Sequence, residues 1–171
     1  MKKSKTYKLI IVISILAILV SSLTIGRQIY LDREPSLVSF SAIHFAGYLF
    51  FMLMPVEILF TYYIVEDFDI SILFIVALIT AIVAEIIDYL IGYLVSSQVI
   101  HNMIGDRRYK KANKYIDKYG GLGVFVFNLF PLSSSVLSLA AGIVRYRFRN
   151  FVIYSFAGLL AKYTILIFLF F

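Results

Sequence analysis

Cysteine and tryptophan are both missing from this 171-residue chain, and proline occurs only three times. Without cysteine there is no disulfide framework, no thiolate metal site and no cysteine nucleophile. Without tryptophan, the 13 tyrosines are the main side chains suited to a membrane–water boundary. Charge is scarce too: 15% of positions are charged and 61% are apolar, well outside the range of soluble globular domains. Catalytic patterns are also lacking. His44 and His101 belong to no His-Glu-x-x-His pattern, and neither a Gly-x-Ser-x-Gly elbow nor a glycine-rich phosphate loop occurs. Gly120-Gly121-Leu122-Gly123 reads as a hinge at a helix start, without the Lys-Ser/Thr that a nucleotide site needs. No enzymatic activity, bound metal or cofactor is expected.

What the chain has instead is a series of apolar runs of about 20 residues, each long enough to cross a hydrocarbon core about 30 Å thick. The first, Leu9 to Ile25, follows Lys2, Lys3, Lys5 and Lys8. It is too long for a signal peptide and lacks a small-residue cleavage site before Arg27, so it reads as a retained helix with a cytoplasmic N-terminus. The net charge of +6 is carried between the apolar segments, where membrane topology and anionic headgroups account for it. No nucleic-acid partner is expected.

The charge of the polar islands sets the topology. His101 to Tyr119 holds Arg107, Arg108, Lys110, Lys111, Lys114 and Lys118 against Asp106 and Asp117, and Arg145 to Asn150 holds three arginines and no acid. Both should be cytoplasmic, whereas Arg27 to Ser36 and Glu66 to Asp69 are poor in basic residues and should be external. A segment joining two islands on one side must cross an even number of times. Gly120 to Val144 faces that constraint with about 25 residues, about 12 per arm, or about 18 Å of helix against the 30 Å needed. Val38 to Val65 faces it between the two external islands. Each segment contains a proline, Pro55 or Pro131, where a helix breaks. Two re-entrant hairpins entering from opposite faces satisfy parity. Five plain spanning helices would place the Arg107 to Lys118 cluster outside, against its charge.

The fold expected is therefore an all-α integral membrane protein with three membrane-spanning helices plus two opposed re-entrant helical hairpins forming an inverted repeat. Residues 1–35 would hold the first helix and an external linker, and 36–171 the membrane domain. Within that domain come a hairpin at 38–65, a span at 70–97, a basic cytoplasmic amphipathic segment at 101–119, a hairpin at 120–144 and a span at 151–171. Inverted repeats of this kind place a substrate site where their broken elements meet.

Glu57, Glu85, Asp88 and Lys162 fall inside the membrane segments. At roughly 3 kcal/mol each, exposing all four to lipid would cost on the order of 10 kcal/mol, so they should face protein. Glu85, Asp88 and Gly92 share one helix stripe, and desolvated acids at that spacing suit a proton carrier or cation site. Their structural alternative makes Lys162 the counter-ion of one of them and lets Asp88 reach the headgroups. Pro55, Asn128, Pro131, Ser133, Ser134 and Lys162 would line a groove. The Ser133-Ser134-Ser135 run suits either an anion or the capping of a broken helix. Arg145, Arg147 and Arg149 either grip lipid phosphate or set topology.

Several segments resemble one family in order. Ala84-Glu85-Ile86-Ile87-Asp88-Tyr89-Leu90-Ile91-Gly92 is similar to the Gly-Asp-x-x-x-Tyr-x-Ile-Gly stretch of the DedA family, also called VTT or SNARE-associated Golgi-type membrane proteins, with Glu85 in place of its Asp. The stretch from Tyr119-Gly120-Gly121 through Phe125, Asn128, Pro131 and Ser134, then Ala140-Ala141-Gly142 and Arg147 to Phe151, resembles its most recognisable region. Met54-Pro55-Val56-Glu57 resembles its Pro-x-acid element. The resemblance implies two opposed re-entrant hairpins and transport or scrambling of lipids, including polyprenyl-phosphate carriers, with proton-gradient dependence in some members. This chain departs from it where the family has arginines, at Asn128 and Ser134, and has His44 near the place of a further acid. Those departures resemble a divergent, YqaA-like branch.

The function expected is a lipid flippase or scramblase in the cell membrane, acting on a phospholipid or polyprenyl-phosphate-type lipid. Its alternatives are a proton- or cation-coupled exporter of small solutes and a non-transporting scaffold. Membrane lipids are the expected partners, with a lipid phosphate as substrate candidate and a homo-oligomer as a compatible assembly.

Overall fold

A computed structural model describes residues 35–49, 56–94, 106–130 and 134–170. The expected first helix at Leu9 to Ile25 lies outside these residues, as do Pro55, Pro131 and Ser133. Every regular element among the described residues is a helix: α1 Leu37–Tyr48, α2 Val56–Val65, α3 Ile70–Leu94, α4 Asp106–Tyr119, α5 Gly121–Leu129, α6 Ser134–Ile143 and α7 Phe148–Phe170.

Two of these, α3 and α7, are long and apolar enough to cross a membrane, and only 33% and 28% of their most apolar stretches are buried. A soluble core helix would be mostly enclosed, so the low burial marks them as lipid-facing. Their outer faces carry Ile72, Ile75, Ile79 and Val83 on α3, and Ile153, Phe156, Leu160 and Phe168 on α7, all exposed. An exposed apolar surface of that extent suits contact with lipid.

The arms of the two helix pairs are short. With a rise of about 1.5 Å per residue, α1 spans about 18 Å and α5 about 14 Å. Ser36 starts α1 through a capping box with Ser39. Phe130 ends α5 in an extended conformation, φ −94° and ψ 156°, as the residue before Pro131 must. The chain repeats itself: α6 and α7 begin 78 residues after α2 and α3 respectively. The turns between them match as well. Asp67 and Arg145 both adopt positive φ, 59° and 54°. Phe68 N–H donates to Tyr63 O and Asp67 N–H to Ile64 O, just as Tyr146 does to Ala141 and Arg145 to Gly142, giving two Schellman endings.

The long helices run antiparallel. Tyr89 stacks on Phe151, Glu85 reaches Ser155 through Asn128, and Thr80 reaches Tyr163 through His44. Position thus rises along α3 as it falls along α7. The first arms pack on their own long helices, α1 on α3 and α5 on α7; of the second arms, α6 packs on α3, the long helix of the other unit, and α2 touches both α3 and α7. The exchange is unequal. Every residue from Ser134 to Gly142 of α6 is buried, whereas α2 leaves Ile58, Tyr62 and Val65 exposed.

Small residues permit the closest contact, between α3 and α6. A methyl group on Gly142 would strike the Tyr89 carbonyl and the Tyr93 amide, and one on Gly92 would strike the Leu139 carbonyl. Neither obstacle is a movable side chain. Gly142→Ala is therefore expected to cost about 1–3 kcal/mol, the range for overpacking a filled core, read as a lowered melting temperature in detergent; a melting temperature equal to wild type would contradict the contact.

Candidate functional site

The middle of the helix bundle contains two buried polar clusters, one on each side of Ala81 and Leu159, which are both fully buried. The first is an ion pair with a chain of hydrogen bonds behind it. Lys162 Nζ on α7 contacts Glu57 Oε1 on α2 at 3.0 Å, with 6% of the Lys162 side chain and 21% of the Glu57 side chain exposed. Lys162 also donates to the Tyr48 hydroxyl at 3.1 Å, which lies 2.9 Å from the Tyr163 hydroxyl. Tyr163 meets His44 Nε2 at 2.7 Å, and His44 Nδ1 meets Thr80 Oγ1 at 2.7 Å.

Counting donors gives this chain a direction. Thr80 has one hydroxyl hydrogen and directs it at the Val76 carbonyl, 2.7 Å away, so its oxygen accepts from His44 Nδ1–H. His44 Nε2 then accepts from Tyr163, Tyr163 from Tyr48, and Tyr48 from Lys162. All bonds point away from the cation. The network ties α1, α2, α3 and α7 together, and Phe40, Phe60 and Tyr63 seal it with aromatic contacts.

The second cluster surrounds Glu85 on α3, which is fully buried. Asn128 on α5 donates through Nδ2 to Glu85 Oε2 at 3.2 Å and to the Ser155 hydroxyl at 3.2 Å. Ser134 and Ser155 lie beside the carboxyl, and Lys162 is near enough to act on it electrostatically. Gly158 lets α5 approach α7 here, since a methyl group would meet the Phe125 carbonyl and Asn128 Cβ. Asp88, one turn along α3, is also fully buried.

The sequence-expected residues thus separate into three places. Glu57 and Lys162 form the first cluster; Glu85, Asn128 and Ser134 form the second, with Asp88 one turn from it. Arg145, Arg147 and Arg149 are exposed around the start of α7, remote from both, with Arg145 over the Tyr93 ring. Lys111, Lys114, Lys118 and Tyr119 line a shallow pocket on α4. Neither part of the structural alternative is what forms. Lys162 pairs with Glu57 on α2 instead of with the Glu85 and Asp88 stripe, because α7 carries it past α3 toward the first helix pair. Asp88 is enclosed instead of reaching the headgroups, because α6 covers that face of α3. Tyr48, Thr80, Ser155 and Tyr163 are site residues that sequence reasoning missed, and His44 was noted only as lying near the place of the family's further acid. The one available signal was a polar atom at the depth of Glu57 or Glu85.

No group of three or more His, Asp or Glu side chains suited to a metal occurs among the described residues. A family model described as the VTT domain matches residues 37–171. No curated protein and no solved structure matches the chain.

Tyr163→Phe deletes the link between Tyr48 and His44 and leaves buried polar atoms unpaired, which is expected to cost about 1–3 kcal/mol. His44→Leu should cost a similar amount. The double variant should lose less than the sum, since both act on one network. Thermal melting of the three variants measures this, and strict additivity would contradict a continuous chain.

Proposed function

The chain belongs to the VTT-domain family, and on that premise we propose that it is a transport protein of the cell membrane, a flippase or scramblase moving a phospholipid or polyprenyl-phosphate-type lipid between leaflets. In this reading α1–α2 and α5–α6 are re-entrant hairpins entering from opposite faces, and α3 and α7 are crossings. Leu9 to Ile25 is a third crossing with a cytoplasmic N-terminus, and α4 lies on the cytoplasmic surface among anionic headgroups. Arms of about 14–18 Å are too short to cross a core of about 30 Å, which supports the hairpins. The antiparallel α3 and α7 support opposed insertion.

One observation carries the transport reading: the Glu57–Lys162 pair lies at the middle of the bundle, yet Glu57 keeps 21% of its side-chain surface. A charge pair at membrane depth that is partly open to one side meets the polar headgroup of a lipid whose tails remain outside. The open side is α2, the arm that its unit leaves least covered. An anionic headgroup is chemically equivalent to the Glu57 carboxylate as a partner for Lys162. Lys162 thereby stands in for the arginines that the family resemblance places at Asn128 and Ser134. In this reading Pro55, Asn128, Pro131, Ser133 and Ser134 line the groove, the prolines by breaking the helices and the others by supplying polar groups, and Arg145, Arg147 and Arg149 hold headgroups at the surface.

Reconstitution into liposomes with fluorescent lipids tests this. Glu57→Gln and Glu85→Gln are expected to abolish movement between leaflets. Unchanged lipid movement in both would overturn the reading. Flux of a small solute driven by a pH gradient, with no lipid movement, would assign the same residues to a solute exporter.

A further inference from the structure

The seam between α3, α5 and α7 has an imbalance of donors and acceptors. The Asn128 amide nitrogen is surrounded by three acceptors: Glu85 Oε2 at 3.2 Å, the Ser155 hydroxyl at 3.2 Å and the Val124 carbonyl at 3.3 Å. That arrangement fixes which end of the amide is nitrogen. The carboxyl and the amide are each two-atom forks, and the Nδ2–Oε2 contact uses one atom of each. The atoms left over are Glu85 Oε1 and Asn128 Oδ1. Both are buried and have no hydrogen-bond partner among the described residues. Ser134 and Ser155 are hydrogen-bonding neighbours of the carboxyl, yet its Oε1 atom has no partner within hydrogen-bond distance.

Both unpartnered atoms are acceptors, and a buried acceptor without a donor is costly. A buried carboxylate also needs a counter-charge. The cation that acts on Glu85, Lys162, is already held by Glu57. The other titratable groups facing the site are Asp88 on the same helix, Tyr163 on α7 and Tyr48 on α1. The α5 and α6 sequences contain none.

We propose that Glu85 and Asn128 form a proton-binding site, in which a proton on Glu85 Oε1 is donated to Asn128 Oδ1 and closes an acid–amide pair. A single proton satisfies both leftover atoms and removes the buried charge, and it does so without a ligand shell. A metal cation would have to draw on the same two oxygens and the two serine hydroxyls. The site stands on this geometry alone. Only its use as the coupling site, with the proton as the coupling ion, rests on the transport reading above.

Infrared spectroscopy of the full chain in lipid nanodiscs, with glutamate carboxyls isotope-labelled, reads the proton directly. At neutral pH the wild type should show the carbonyl band of a protonated glutamic acid. Glu85→Gln should lose that band, and Asn128→Leu should shift it. Glu85→Gln should also melt with the wild type, because its new amide N–H replaces the acid O–H toward Asn128, whereas Glu85→Ala should melt lower. Melting in sodium and potassium solutions should be equal. A wild-type spectrum with only carboxylate bands would overturn the proposal, even if Glu85→Gln failed to fold. A sodium-specific rise in melting that Glu85→Gln abolishes would also overturn it, assigning the site to a metal cation. Lipid movement is not read in these measurements, so failure here leaves the transport reading intact, and failure of that reading leaves this site standing.

Discussion

A charge buried at membrane depth must find its partner inside the protein, and in this chain the contact between Lys162 and Glu57 meets that requirement. Lys162 comes from the middle of α7 and Glu57 from the first turn of α2, so the pair fastens a short helix to a long one from the other half of the chain. Breaking such a pair on one side leaves an uncompensated charge, at a cost of roughly 3–5 kcal/mol when fully buried and less with Glu57 partly exposed. The aromatic network depends on it in turn. Lys162 orients Tyr48, Tyr48 orients Tyr163, and Tyr163 donates to His44, whose tautomer Thr80 sets.

The two halves repeat the same construction with different chemistry. Each has a pair of short helices, a Schellman turn with one residue at positive φ, and a long apolar helix. In the second half, α6 is built from Ser, Ala and Gly with a few larger apolar residues, and it is fully enclosed between α3, α4 and α5. In the first half, α2 is built from larger apolar residues and keeps one face outward. One acid, Glu57, is therefore partly accessible and ion-paired, while the other, Glu85, is sealed and paired with an amide. The two carboxyl groups thus sit in different surroundings, Glu57 partly open beside Lys162 and Glu85 fully enclosed beside Asn128.

Much of this was legible in the residues, for identifiable reasons. The apolar runs at Ile70 to Leu94 and Phe148 to Phe170 exceed what a soluble chain tolerates, and Glu85 and Lys162 within them had to face protein. Family membership was legible in the order of short motifs from Pro55 to Phe151. Pairings across the chain were not. Lys162 and Glu57 are 105 positions apart and His44 and Tyr163 are 119 apart, and no local pattern encodes such contacts. Tyr48 and Tyr163 were obscure for another reason: tyrosine in an apolar segment ordinarily anchors at the membrane boundary, while here both hydroxyls are buried in a network. What encloses Asp88 was not legible, because its distance from the end of α3 indicates depth along the helix but not which neighbour covers it.

If each pair of short helices enters the membrane and returns to the side it came from, the two flanks of a pair face the same compartment. Because the chain has no cysteine, single cysteines at Tyr119 and Val144, which flank the second helix pair and are both exposed, can be labelled with a membrane-impermeant thiol reagent in intact cells and in inverted vesicles. Both positions are expected to label from the cytoplasmic side, in inverted vesicles only. Labelling of the two positions from opposite sides would show that the segment crosses once, and would contradict that arrangement.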